Sequence, residues 1–376
     1  MALKVGVVGI RGIGTTHSKA HAEDPLAELV AVCDIIPERA DKLAQELGVK
    51  AYYSLDDMLD GQPDLDIVDV TTGGYENGSW HYQPVMKALA ANKHVLVEKP
   101  ISNQIVEARE MVATAARKDL YLGCNLNHYF TPTAEQATQR MEDGEVGEIV
   151  YCLHKMGFPG SEYVYKRGMA PRMDGFPYFH CKAFLTHPFS VMRLFCGDIT
   201  HVQAFMGQPS SRKAAGDLMV SINSIHVRFA SGAVGYLLST RGDATFGLGG
   251  WWSVEVGGTR GTFAIENCIE KMTYWPGPGA PGTVDPKTLT LGKSPEPTIY
   301  ESGIDDFQGT FPRRIHCFLE DVTNGVPKEK LRSSGRDALA VLEYTWAAIE
   351  SYEQGGIMVR PHPLPPLHGD PTLGVN

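Results

Sequence analysis

The run VVGIRGIGTTH, Val7–His17, has residues of the right type and spacing to hold a phosphate. Its glycines follow an apolar segment and open a helical one. A turn of that kind brings backbone N–H groups to a helix start, where they face an anion. The strict G-x-G-x-x-G pattern is broken at its third position, where Arg11 stands and an extra glycine, Gly12, follows. The Arg11 side chain either crowds the closest approach of a pyrophosphate or turns its guanidinium onto a phosphate oxygen. Twenty residues beyond Gly14, the next apolar run, ELVAVCD, ends in Asp34. A carboxylate there accepts hydrogen bonds from the ribose hydroxyls of adenosine and repels a 2′-phosphate. Strand, glycine turn, helix, strand and aspartate together imply a dinucleotide cradle made by Gly9, Ile10, Arg11, Gly12, Ile13, Gly14 and Asp34. NAD is expected ahead of NADP, and a purely structural glycine turn is the alternative. A second chemical group, the ammonium of Lys99, closes the apolar run KHVLVEKP.

These residues need a parallel sheet whose carboxyl ends gather on one side, since ligands bind there. The first 123 residues have the pattern for it. Short apolar runs (LKVGVV, ELVAVCD, LDIVDVTT, KHVLVEKP, LYLGCN) alternate with helical stretches such as PERADKLAQELG, WHYQPVMKALAAN and SNQIVEAREMVATAARK. Continuous apolar runs between helices predict strands buried on both faces, hence an α/β, doubly wound Rossmann domain over residues 1–123. After Cys124 the rhythm shifts to longer segments: EIVYCLHKMGF, LMVSINSIHVRFASGAVGYLLST and WWSVEVGGTRGTFAIEN. Alternation in SINSIHVRF and a turn at Ser231-Gly232 predict a second, α+β domain over residues 124–376, with a large, mostly antiparallel open sheet. A last helix near residues 334–353 has the option of packing back on the first domain, ahead of a proline-rich tail.

Bulk composition narrows the classes. The chain has 376 residues, 43% hydrophobic and 21% charged, as in ordinary globular proteins, and a net charge of −10 that argues against a nucleic-acid surface. No apolar run approaches the length of a membrane span, and LKVGVV is preceded by neither a charged nor an apolar leader segment, so no membrane or secretory role is expected. The seven cysteines are scattered without a C-x-x-C pair. That suits reduced, buried thiols and a cytoplasmic location. HSKAH places His17 and His21 on one helical face but lacks the glutamate of H-E-x-x-H, so packing rather than a metal is expected.

The tripeptide Glu98-Lys99-Pro100, some eighty-five residues after the glycine turn, carries a resemblance. With GIRGIGTTHSKAH, WHYQPVMKALAANKHV, NLNHYFTP…MEDGEVGEIVY, VEVGGTRGTFAIEN and GRDALAVLEYTWAAIESYEQG in order, the chain resembles the glucose-fructose oxidoreductase / inositol dehydrogenase / MocA (Gfo/Idh/MocA) family over nearly its whole length. The resemblance implies an NAD(P)-dependent oxidoreductase acting on a CH–OH group of a sugar, polyol, inositol or related cyclic alcohol. It also implies a homodimer or homotetramer built through the second domain's sheet. Oxidising such an alcohol needs a base for the hydroxyl proton while hydride leaves carbon, and a cation beside the oxygen to stabilise alkoxide character. Lys99 matches the cation. His187, ten residues before Gly197 in HCKAFLTHPFSVMRLFCGD, matches the base, with helix-start packing as its alternative.

The family often has an aspartate one helical turn before that histidine; here the position is Ala183, and Lys182 and His180 nearby cannot replace a carboxylate. Tyr178 and Asp174 are further candidates. On the substrate side stand Asn127, His128 (where arginine is frequent in the family), His154 and Lys182; for both His128 and His154 a structural role is an equal reading. Thr71, Thr72, His81, Glu98, Lys99 and Asn127 complete the cofactor side. Tyr75, Asn77 and Trp80 lie in a long connection, and Tyr163, Tyr165, Lys166, Arg167 and Arg172 in a long loop that either caps a larger substrate or is simply exposed. Two alternatives remain: a transient redox cycle that eliminates a glycosidic group with no net NADH, and a non-catalytic NAD(P)-sensing regulator.

Overall fold

The computed structural model describes residues 2–73, 80–157, 177–214, 216, 218–241, 252–277, 296–304 and 306–365. The chain forms two compact units. One comprises residues 1–127, 308–343 and 363–376, the other 128–307 and 344–362.

In the first unit six strands, β1 (Leu3–Val8), β2 (Ala27–Cys33), β3 (Lys50–Tyr52), β4 (Ile67–Val70), β5 (His94–Val97) and β6 (Leu122–Cys124), form a parallel sheet ordered β3-β2-β1-β4-β5-β6. This is the doubly wound Rossmann order, with its switch point between β1 and β4. The apolar runs are strands because both faces are covered: Val5, Val7, Ile67, Val68, Val70, Val95, Leu96 and Val97 are buried. The helices α1 (Ile13–Glu23), α2 (Pro37–Leu47), α3 (Leu55–Gly61), α4 (Tyr82–Ala90) and α5 (Ile105–Arg117) connect them. Local chemistry sets their ends. Pro37 opens α2 and Gly48, at φ 69°, closes it; the Ser54 hydroxyl caps α3 by accepting from the Asp57 N–H.

The second unit holds an eight-stranded mixed sheet made of β7 (Ile149–Gly157), β8 (Ile199–Gly207), β9 (Ile222–Phe229), β10 (Val234–Thr240), β11 (Trp252–Gly258), β12 (Gly261–Glu266), β13 (Lys271–Pro276) and β14 (Thr298–Glu301). Their order is β14-β13-β12-β11-β7-β10-β9-β8, antiparallel except for the β7–β10 pair. The turn read at Ser231-Gly232 joins β9 to β10, with Gly232 at φ 96°. The helices here are α6 (Pro132–Glu142), α7 (Phe179–Phe184), α8 (Thr186–Cys196) and α9 (Ser210–Ala214). Period-two burial divides the sheet. Cys152, His154, Met156, Val254 and Val256 point inward, while Leu153, Phe205 and Val234 are about half exposed on the other face. Phe195 of α8 meets Phe263 edge-on beneath the inner face.

Two long helices follow, α10 (Thr310–Thr323) and α11 (Gly335–Glu353). In the first unit Arg109 of α5 makes a bidentate pair with the buried Glu343, at 2.7 and 3.0 Å. All seven cysteines are buried free thiols, and no helix among the described residues is long and apolar enough to cross a membrane.

Candidate functional site

The glycine turn follows β1 at the switch point. Gly9 has φ 89°, and a Cβ there would stand 2.6 Å from the Thr72 backbone, so the close approach of the β1 and β4 ends demands glycine. At Gly14 a Cβ would lie 2.2 Å from the Gly9 carbonyl oxygen and 2.6 Å from Thr71 Oγ1, which fixes α1 tightly on the strand end. Thr71 donates to the Gly9 carbonyl at 3.0 Å, and Thr72 to the Trp80 carbonyl at 2.8 Å. Gly12 differs. At φ 54° a Cβ would meet nothing within 4 Å, and as N-cap of α1 it brings no capping side chain to the first N–H groups. Arg11 is exposed beside it. An open, glycine-lined helix start at the carboxyl end of a parallel sheet fits a dinucleotide pyrophosphate. Asp34 ends β2, only 5% exposed, with its carboxylate held by the Ile36 N–H at 3.0 Å and by Arg39 Nη1 at 2.9 and 3.0 Å.

Beneath the strand ends lies an ionic network. Asp69, inside the apolar β4, is fully buried; one oxygen is 2.8 Å from both His17 Nδ1 and His21 Nε2. The other edge of the His17 ring faces Glu98, Nε2 to Oε1 at 3.2 Å, and the Asn125 amide donates to the same Glu98 oxygen. Burial by itself would discharge His17, but the charge and hydrogen bond of Asp69, with Glu98 adding to them, push its pKa up to about 10. The same contacts hold Asp69 well below the ordinary carboxylate range and also lower Glu98, each against its own desolvation. The second Glu98 oxygen accepts from the Lys99 backbone N–H at 3.0 Å. Lys99 is thus fixed to this network through its main chain, just past β5. His81 Nδ1 donates to the Pro100 carbonyl at 2.8 Å, and desolvation holds that ring below its usual pKa. Asn127 is buried and donates to Thr310 at 3.2 Å.

In the second unit His187 sits in the first turn of α8, half-buried. Its Nδ1 is 2.9 Å from Nε2 of His128, which lies on the 3-10 turn Asn127–Phe130. The His128 ring is stacked on Trp252 at 5.1 Å and tilted against Phe307 at 5.1 Å, and its Nδ1 faces the Cys268 thiol at 3.2 Å. His154 meets the Trp252 ring edge-on at 5.1 Å; burial pushes its pKa down to about 3, so it is neutral. His154 Nε2 and Trp252 Nε1 are buried with no hydrogen-bond partner among the described residues. Buried polar atoms of that kind call for a partner, such as an ordered water. Ala183 is fully buried on α7. Lys182 sets its ammonium over the Trp346 ring at 4.5 Å, and His180 bonds Ser239 at 2.8 Å. Tyr178 turns to Tyr352.

Tyr75, Asn77, Tyr163, Tyr165, Lys166, Arg167, Arg172 and Asp174 lie outside the described residues. Reading the sequence did not find Arg39, Asp69, Asn125, Trp252 or Cys268. A usable signal existed only for Asp69: a carboxylate within IVDV, a strand buried on both faces, has to be paired.

Residues 3–126 match the model described as Oxidoreductase family, NAD-binding Rossmann fold. Over 360 residues, 94% of this chain and 97% of the relative, the sequence is 24% identical to the myo-inositol 2-dehydrogenase of Thermotoga maritima. It is 23% identical over 355 residues, 93% and 97% of the two chains, to the inositol 2-dehydrogenase of Rhizobium meliloti. The fold matches that of scyllo-inositol dehydrogenase from Lactobacillus casei, solved with NAD(H) and scyllo-inositol. The TM-score is 0.74 at 20% identity, over 96% of this chain and 99% of that one.

Proposed function

The chain belongs to the glucose-fructose oxidoreductase / inositol dehydrogenase / MocA family of oxidoreductases, and from that premise we propose that it oxidises a ring CH–OH of an inositol or related cyclic sugar with NAD. The observation that carries this reading is Lys99: an ammonium just past the carboxyl end of β5, its backbone tied through Glu98 to the His17 network, in the unit that holds the glycine cradle. The relatives named above act on inositols, which supports a polyhydroxylated ring as substrate.

Gly9, Gly12, Gly14 and the start of α1 would hold the pyrophosphate, and Asp34 the adenosine ribose. The buried Asp34 carboxylate disfavours a 2′-phosphate, which supports NAD over NADP. When bound, the nicotinamide supplies the hydride acceptor. Lys99 stabilises negative charge growing on the substrate oxygen. His187 takes the hydroxyl proton, a role suited to a ring whose ordinary pKa lies near neutrality. His154, neutral, and Trp252 offer hydrogen-bonding atoms to the remaining hydroxyls. The half-exposed Leu153, Phe205 and Val234 support assembly of the chain with itself through the outer sheet face.

The test is NADH formation from NAD with myo-inositol, scyllo-inositol and glucosides. Lys99→Met and His187→Ala should each lower kcat by about 100-fold or more while NAD binding persists. Turnover untouched by Lys99→Met would sink the mechanism. Cleavage of a glucoside without net NADH would replace it by the transient redox cycle.

A further inference from the structure

Two imidazoles whose nitrogens stand 2.9 Å apart share one proton, because two cationic rings at that distance repel. His128 and His187 are such a pair, and the surroundings of His128 favour one way of sharing. Its far nitrogen, Nδ1, faces the sulphur of Cys268 at 3.2 Å. That thiol keeps its proton, since burial raises its pKa well above the ordinary value. A protonated thiol both donates and accepts weakly; taken as the acceptor of the His128 Nδ1–H, its sulphur keeps that contact whether His128 is neutral or charged. With its single neutral proton on Nδ1, His128 presents Nε2 as an acceptor, and His187 donates its Nδ1–H to it. The opposite edge of the His187 ring, Nε2, then carries the lone pair. Trp252 adds the second element: its ring lies flat against His128, 5.1 Å between centroids and 21° between planes. An indole face stabilises a cation stacked on it. Among the described titratable groups around the pair, Cys268 follows β12 and stays protonated, and His154, on β7 beyond Trp252, stays neutral.

We propose that His128 completes the proton acceptor: it holds His187 as the Nδ1–H tautomer and takes that proton when a substrate hydroxyl gives its own to His187 Nε2. This rests on the reading of His187 as the proton-transfer residue. The step balances, since one proton enters at Nε2, one crosses from His187 Nδ1 to His128 Nε2, and the single positive charge comes to rest on His128 against Trp252. In the reverse direction the same protons return. His128 acts through His187 and is a positioning residue.

The test uses the full chain labelled with 15N-histidine, the His187 signals being identified by their loss in His187→Gln. We expect His187 as Nδ1–H in the wild type and in His128→Gln, whose amide oxygen still accepts. In His128→Phe, which keeps a ring against Trp252, it should revert to the commoner Nε2–H form. With myo-inositol and NAD, His128→Phe should lower kcat at least about 10-fold with KM changed little, and His128→Gln should recover only part of it, because an amide holds no proton. A wild-type His187 protonated on Nε2, or a His128→Phe enzyme with undiminished kcat, would overturn the proposal. The tautomer is read without turnover. If His187→Ala left activity intact, the functional reading would fall while the NMR result still decided the pairing.

Discussion

The molecule contains two histidine pairs built on opposite principles. In the first unit His17 and His21 share a carboxylate, Asp69, and His17 also meets Glu98; every member is buried. In the second, His128 and His187 meet each other, with a thiol and an indole face around them. A carboxylate pins a proton on its imidazole, which is why His17 stays charged up to about pH 10. Such a ring serves as a fixed cation that orients Glu98 and hence the Lys99 backbone. Neutral partners leave a proton movable, which is what a transfer site needs. Side-chain type matters less here than the charge of what it touches: His17 is held as a cation by carboxylates, while His128 and His187 meet neutral partners.

The largest effect should come from removing the charge that defines the first pair. Asp69→Asn leaves the buried His17 cation with Glu98 alone and His21 without its carboxylate, and we expect a loss of about 3–5 kcal/mol in urea unfolding of the first unit. The pH dependence should change with it. Because the folded pKa of His17 is raised, its stabilisation is complete below about pH 6.5 and is lost as pH rises through about 10. Asp69 and Glu98 have lowered values, so their contribution is complete above the ordinary carboxylate range and is lost as pH falls. Wild-type stability should therefore decline from neutral toward pH 10, and Asp69→Asn should flatten that decline. An equal slope in both proteins would mean that His17 is not the ion described here.

What could be read from the sequence divides along the same line. The glycine turn, Asp34 and Lys99 are legible because each sits at a strand end within a short local pattern. The sheet order follows from the alternation of runs. The segment KAYYSLDDMLDG is not read as structure, because β3 has three residues and α3 seven, too few to show a period. His17 and His21 are visibly on one face, but their carboxylate is some fifty residues away and arrives only because β4 pairs with β1. His128, His187, Trp252 and Cys268 come from four distant segments. No spacing announces them, and only the folded sheet brings Trp252 of β11 and Cys268 beyond β12 to the His128 turn.

Within the first pair, His21 should matter less than its neighbour. His21 contributes one contact to Asp69 and has a buried Nδ1 with no partner among the described residues, whereas His17 bridges two carboxylates. His21→Asn therefore removes one charge-assisted bond while leaving Asp69 compensated. We expect about 1–3 kcal/mol of destabilisation with the high-pH decline preserved, measured by urea unfolding at several pH values. Loss of that decline would move the defining cation from His17 to His21.

The smallest effect should appear at the far end of the second pair. Cys268 keeps its proton, offers a sulphur to His128 Nδ1 and fills buried space. Cys268→Ala removes a weak acceptor and a little volume, so stability should fall by about 1 kcal/mol. Its effect on turnover is the sharper measure. Without the sulphur, the preference of the His128 proton for Nδ1 over Nε2 should weaken, and part of the population should turn Nε2–H toward His187, whose own proton then moves to its outer nitrogen. That fraction cannot accept a substrate proton. A fall of a few-fold in kcat at unchanged KM is expected, with Cys268→Ser intermediate because a hydroxyl oxygen also accepts. A fall as large as that of His128→Phe would make the thiol a full member of the proton path. The second pair would then depend on its outer partner as strictly as His17 depends on Asp69.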